Sequence, residues 1–98
     1  MSPPPYVGTE RRRTPRYYVQ LSVESAHGTG TTIDVNEDGV RFETNHRFVY
    51  GEVLTLRLVF RHIAGDYTHI DVTGDVVRVE ESGETFLVAV RVDEIHVD

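Results

Sequence analysis

From Tyr17 onward the chain alternates apolar and polar residues with a period of two, the pattern of half-buried strands. Val19, Leu21 and Val23 alternate in a first strand, and Gly28-Thr29-Gly30 predicts a turn after it. Thr31, Ile33 and Val35 mark a second strand. Asn36-Glu37-Asp38-Gly39 then reads as a tight turn in which Gly39 supplies a positive φ. Val40, Phe42 and Thr44 form a short third strand, and Gly51-Glu52 leads into a fourth, Val53 to Phe60, with Leu54, Leu56, Leu58 and Phe60 on one face. Ala64-Gly65-Asp66 turns the chain into a long fifth strand, Tyr67 to Val79, with Ile70, Val72 and Val76 on one face. Gly74 sits inside it and Val76-Val77 breaks the alternation, which together predict a bulge or sharp bend. After Ser82-Gly83, residues Phe86, Val88, Val90 and Val92 make the sixth. No segment has a helical period. Six short strands with regular turn signals predict an all-β fold, a small barrel or sandwich.

Composition narrows the function classes. Ninety-eight residues, 39% hydrophobic and 27% charged, suit one small domain with one modest core. With zero Cys there is no disulfide framework, no thiolate metal site and no Cys nucleophile. No apolar run approaches the roughly 20 residues that span a membrane, and Met1-Ser2-Pro3-Pro4-Pro5 lacks the apolar stretch of a signal peptide, so a cytoplasmic location is expected. The four Ser have no nucleophile context, and nothing resembles a triad or P-loop, so no enzyme is expected. His62, Asp66, His69 and Asp71 cluster around one hairpin, but their spacing fits no defined metal site. Residues 1–9 read as a flexible, Pro-rich leader.

Charge is unevenly placed. The formal net charge is -6, and every basic residue is Arg. Four of the ten lie in Arg11-Arg12-Arg13-Thr14-Pro15-Arg16. An acidic body disfavours a broad nucleic-acid or membrane surface, but not a local anion site. Guanidinium forks take phosphate and the O6/N7 edge of guanine. A carboxylate in the Asp34–Gly39 turn can accept from the guanine N1–H and N2–H₂. The two segments together point to a doubly charged, guanine-containing ligand.

Motifs and spacing together resemble the PilZ domain, a small bacterial β-barrel that senses cyclic di-GMP, from Glu10 to about Val92. Its RxxxR motif is matched by Arg12-Arg13-Thr14-Pro15-Arg16, and its (D/N)xSxxG motif by Asp34-Val35-Asn36-Glu37-Asp38-Gly39, with Asn36 in place of Ser. Val72 to Val79 resembles its glycine-containing fifth strand, and Val88 to Val92 its closing strand. The resemblance implies a six-stranded antiparallel split barrel over 10–98 that includes the RxxxR segment. The C-terminal helix of many members is expected to be missing or very short. The resemblance further implies that Arg12 and Arg16 clasp phosphates and guanine edges, and that Asp34 accepts from a guanine. Asn36 adds a polar contact, Gly39 permits close approach, and Arg11 stacks on a guanine or reaches a second ligand molecule. Cyclic di-GMP would order the Arg arm, and a separate effector protein would read the changed surface. No other cofactor is implied. The competing reading is a PilZ-like barrel that docks proteins without nucleotide; the Asn36 departure favours it.

Overall fold

A computed structural model describes residues 17–97. They form six strands in chain order: β1 (Ser22–Ser25), β2 (Gly28–Val35), β3 (Gly39–Thr44), β4 (Val53–Arg61), β5 (Tyr67–Ser82) and β6 (Thr85–Val97). All pairings are antiparallel, and the order β1-β2-β3-β6-β5-β4 closes into a barrel because β1 also pairs with β4. Closure leaves a small barrel with a side-chain-filled interior. Val23, Val40, Phe42, Leu56, Leu58, Val72, Val76, Val88 and Val90 fill it, each on the inward phase of its strand. Phe48 completes the core from the β3–β4 loop, edge-on to Phe42 at 5.9 Å. His27 and His46 stack over its far side, their ring centroids 4.6 Å apart.

Irregularities in the ladders explain where the sequence pattern broke. In the β5–β6 pairing the register shifts between Val76 and Arg78, so Val77 is the extra residue and turns outward. A second shift beside Gly74 makes Asp93 extra on β6. The strands approach so closely there that a Cβ on Gly74 would stand 2.0 Å from the Arg91 carbonyl oxygen. The bend expected at Gly74 and Val76-Val77 is therefore present as two bulges.

Three local expectations shift. The first turn is at Ala26-His27, not Gly28-Thr29-Gly30. Gly28 has φ 134° and opens β2, while Gly30 lies within β2, where a Cβ would meet the Glu43 carbonyl at 2.4 Å. The first strand begins at Ser22 rather than Val19, because the Thr32 hydroxyl occupies the preceding segment. It donates to the Val19 carbonyl at 2.6 Å and accepts from the Leu21 N–H at 2.8 Å. β6 runs to Val97, beyond the expected end at Val92.

Candidate functional site

The site is built on the β2–β3 hairpin. Asn36 N–H donates to the Gly39 carbonyl at 2.9 Å, which closes a turn around Glu37-Asp38. That closure fixes the register: Val35 opposes Val40 and Asp34 opposes Arg41. A shift between Thr32 and Asp34 leaves Ile33 as an extra residue in β2. Without it Asp34 would share a face with inward-pointing Thr32. With it, Asp34 moves to the outer face beside Arg41, and Val35 turns toward the core.

Asp34 is 3% exposed even so. Its Oδ2 accepts from Arg41 Nε at 3.0 Å and Nη2 at 2.8 Å. Two charge-assisted bonds to one oxygen hold the guanidinium, and the Asp34 carboxylate holds Arg41 more firmly protonated than a free arginine. The Arg41 side chain remains nearly half exposed. The role expected of Asp34, acceptance from a guanine edge, therefore shares the carboxylate with an internal cation. Arg41 was not among the expected site residues. The signal for it lay in the turn, since a hairpin closed at Asn36 and Gly39 places residue 34 opposite residue 41.

Asn36 serves its own turn. Its Oδ1 accepts from the Asp38 N–H at 2.8 Å and from the Gly39 N–H at 2.7 Å. Its side-chain NH₂ makes no hydrogen bond among the described residues. Asn36→Ala should therefore cost about 1 kcal/mol of stability, and Asn36→Ser, which keeps an oxygen acceptor, less than half of that. Thermal melts check this; equal melting of the Ala variant and the parent would mean that the turn does not depend on this oxygen. Gly39 corrects an expectation: it is not among the glycines with positive φ. It is the first residue of β3, opposite Arg91, with the Val90 carbonyl 3.1 Å from where a Cβ would stand. Its close approach is to β6.

Tyr17 ties the incoming chain to this hairpin. Its N–H donates to the Val35 carbonyl at 2.9 Å, and its carbonyl accepts from Val35 N–H at 3.0 Å. Arg11, Arg12 and Arg16 lie outside the described residues. Arg16 nevertheless directly precedes the residue anchored on Val35, between Asp34 and Asn36 in sequence. Alongside runs an open groove of about 510 Å³ lined by Tyr18, Gln20, Thr31, Thr32, Ile33 and Glu43. That volume falls within the range of small-molecule sites.

The remaining arginines among the described residues are committed elsewhere. Arg47 pairs with Glu81, Arg57 with Asp71, Arg78 with Glu80 and Arg91 with Asp75, and Arg61 lies over the Tyr67 ring. Among the described residues no cluster of cations faces the groove. His62 bonds to Thr68 and Asp71 to Arg57, and no group of three or more His, Asp or Glu is placed to hold a metal among the described residues.

Residues 10–98 match the PilZ domain family. The chain belongs to that family. PilZ domains are receptor and adaptor modules, and the family is one of cyclic di-GMP receptors. The barrel is similar to that of the Bacillus subtilis inhibitor of motility (MotI/DgrA), with a TM-score of 0.74 at 18% identity over 89% of this chain. This PilZ chain covers 44% of that protein, less than half its length, and at this identity the likeness is one of fold. No curated protein matches the chain by sequence. No helix among the described residues is long and apolar enough to cross a membrane.

Proposed function

We propose that this PilZ chain is a cytoplasmic receptor for cyclic di-GMP that signals to a separate effector protein. The observation that carries the reading is the anchoring of Tyr17, the residue that follows the Arg11–Arg16 segment in sequence, on Val35 of the hairpin that bears the Asp34–Gly39 turn. The barrel's own arginines are engaged, so Arg12 and Arg16 supply the positive charge for the two phosphates, with Arg11 available to a base or a second ligand molecule. Arg41, fixed by Asp34, adds a cation on the outer face. Tyr18, 71% exposed at the groove, offers a ring on which a guanine stacks. Asn36 and Gly39 keep the turn close beneath. Ligand binding neutralises the Arg segment and fixes it across the hairpin, an ordering step whose cost keeps affinity near the micromolar range, about -8 kcal/mol. The effector reads the altered face.

Titration calorimetry with cyclic di-GMP, cyclic di-AMP and GTP tests this. Saturable binding of cyclic di-GMP alone is expected, and no heat at high micromolar ligand would sink the reading. Arg16→Ala should weaken binding at least several-fold, about 1 kcal/mol or more, while the barrel melts as before. A variant that binds like the parent would remove Arg16 from the clasp.

The second reading, a PilZ barrel that docks proteins without nucleotide, rests on Asn36, whose oxygen is committed to its own turn. Asn36→Ser separates the two. Tighter binding in that variant means that Asn36 had detuned a working site.

A further inference from the structure

The sheet continues past the point where the barrel closes. β1 follows β4 only to Val59, opposite Ser22. β3 follows β6 only to Arg91, opposite Gly39, with one more bond from Val92 N–H to the Asp38 carbonyl at 2.9 Å. Past Val92, β6 runs on beside β5 to Val97 as an extension beyond β3, level with Leu56 and Leu58 of β4, and β4 and β5 alone continue past Val59 as a hairpin. Phe60 stands opposite Thr68, Val72 opposite Ile95, and Ile70 opposite Val97. Directly opposed residues share a face. The inner face of the barrel, Leu56 and Leu58 with Val72 and Ile70, is thus continued onto β6 by Ile95 and Val97. Phe60 is 43%, Ile95 49% and Val97 61% exposed.

One side of this extension is an edge. From Glu94 to Val97, β6 pairs with β5, and no strand lies along its other side among the described residues. Unpaired strand edges that carry apolar residues pair with other strands unless charge or Pro blocks them. This one carries no Pro, and its charges favour a particular partner.

We infer that this edge binds the same edge of a second copy, β6 against β6 in antiparallel, with Ile95 at the two-fold centre. In that register Glu94 of each copy faces His96 of the other, so the seam holds two acid–imidazole pairs. Centring on Glu94 would oppose two carboxylates, and centring on His96 would oppose two imidazoles. A register displaced by half a step would turn the two apolar faces to opposite sides of the joined sheet. The Ile95 register alone keeps Ile95 and Val97 of both copies on one face and pairs unlike groups. Within its own sheet His96 lies opposite Asp71, which Arg57 holds with bonds of 2.8 and 3.0 Å. Glu94 of the second copy becomes a further acidic neighbour. The inference is independent of nucleotide binding, because no residue of the seam lies in the Asp34–Gly39 turn.

The seam is short, so association is weak and visible at high concentration. Sedimentation of the full chain from about 10 micromolar to about 1 millimolar should show monomer passing to dimer. Ile95→Lys should remain monomeric while melting like the parent, since Ile95 is half-exposed on the free edge of β6. The chain has no cysteine, which makes the register readable. Opposed residues in an antiparallel pair have Cα atoms about 4.5–5.5 Å apart, within disulfide reach. With glutathione disulfide as oxidant, Ile95→Cys should form a covalent dimer at least about tenfold faster than Ile63→Cys, which is fully exposed at the β4–β5 loop. A parent chain monomeric at 1 millimolar (about the upper limit for so small a seam), or equal cross-linking of the two variants, overturns the inference.

Discussion

Gly74→Ala is expected to destabilise the barrel by about 3 kcal/mol or more, the severe end of overpacking. For a domain of this size that lowers the melting temperature by roughly 12–24 °C. The cause is the approach of two backbones. A Cβ at residue 74 would stand 2.0 Å from the Arg91 carbonyl oxygen, 2.9 Å from the Arg91 carbonyl carbon and 2.9 Å from Val90 Cγ1. A flexible side chain could move aside, but a carbonyl inside a paired ladder cannot without loss of its neighbours' bonds. The β5–β6 pairing is also the longest in the sheet and holds two of its three bulges. Gly39→Ala is the milder companion: its nearest obstacle, the Val90 carbonyl, is 3.1 Å away and need give only a few tenths of an ångström. Thermal melts of both variants rank the contacts. A Gly74→Ala protein that melts within a few degrees of the parent would mean that β5 and β6 do not meet as described.

The bulges also govern how much of the fold was legible in the sequence. Where strands pair without interruption, period-two alternation located both element and face: Val40 and Phe42 in β3, Leu56 and Leu58 in β4, Val88 and Val90 in β6. Each failure coincides with an extra residue or a tertiary contact. Asp93 is extra on β6, so the alternation through Val92 loses phase and resumes at Ile95 and Val97. The strand therefore seemed to stop five residues early. Ile33 is extra on β2, so Val35 shares the inward face with Thr32, whereas the alternation of Thr31, Ile33 and Val35 sets Thr32 outward. A bulge formed by an isoleucine has no compositional marker, unlike one beside a glycine. Phe48 reads as a loop residue because its burial comes from the barrel end it plugs, which no local pattern encodes.

The candidate site was legible to a similar depth. Asp34, Asn36 and Gly39 were found as a motif, and the structure brings them together on one hairpin. Their internal commitments were not visible in the motif. The Asn36 oxygen is satisfied by two amides of its own turn. Gly39 makes room for the Val90 carbonyl and needs no left-handed backbone. The Asp34–Arg41 pair was derivable, because the turn that closes at Asn36 and Gly39 fixes the cross-strand partners. Sequence motifs mark positions; the hairpin register decides which side chains those positions already hold.

That pair sets the second large expectation, a loss of cyclic di-GMP affinity of about 100-fold, roughly 3 kcal/mol, in Asp34→Ala. Two mechanisms lead to it and a double-mutant cycle separates them. If Asp34 acts by holding Arg41 on the outer face of the hairpin, Asp34→Ala, Arg41→Ala and the double variant should lose similar affinity, with a coupling energy nearly as large as either single effect. If Asp34 meets the guanine edge directly, Arg41→Ala should lose about tenfold and keep its preference for cyclic di-GMP over cyclic di-AMP, while Asp34→Ala loses that preference. The geometry favours the first mechanism, since both donors of Arg41 fall on one carboxylate oxygen of a residue already buried. The folded barrel should survive either change. Arg41 is close enough to solvent to be rehydrated when its partner is removed, so a stability cost of about 1–2 kcal/mol is expected for Asp34→Ala. Calorimetry on the four proteins of the cycle decides between the mechanisms. Undiminished binding in Asp34→Ala would exclude both and leave the hairpin a scaffold only.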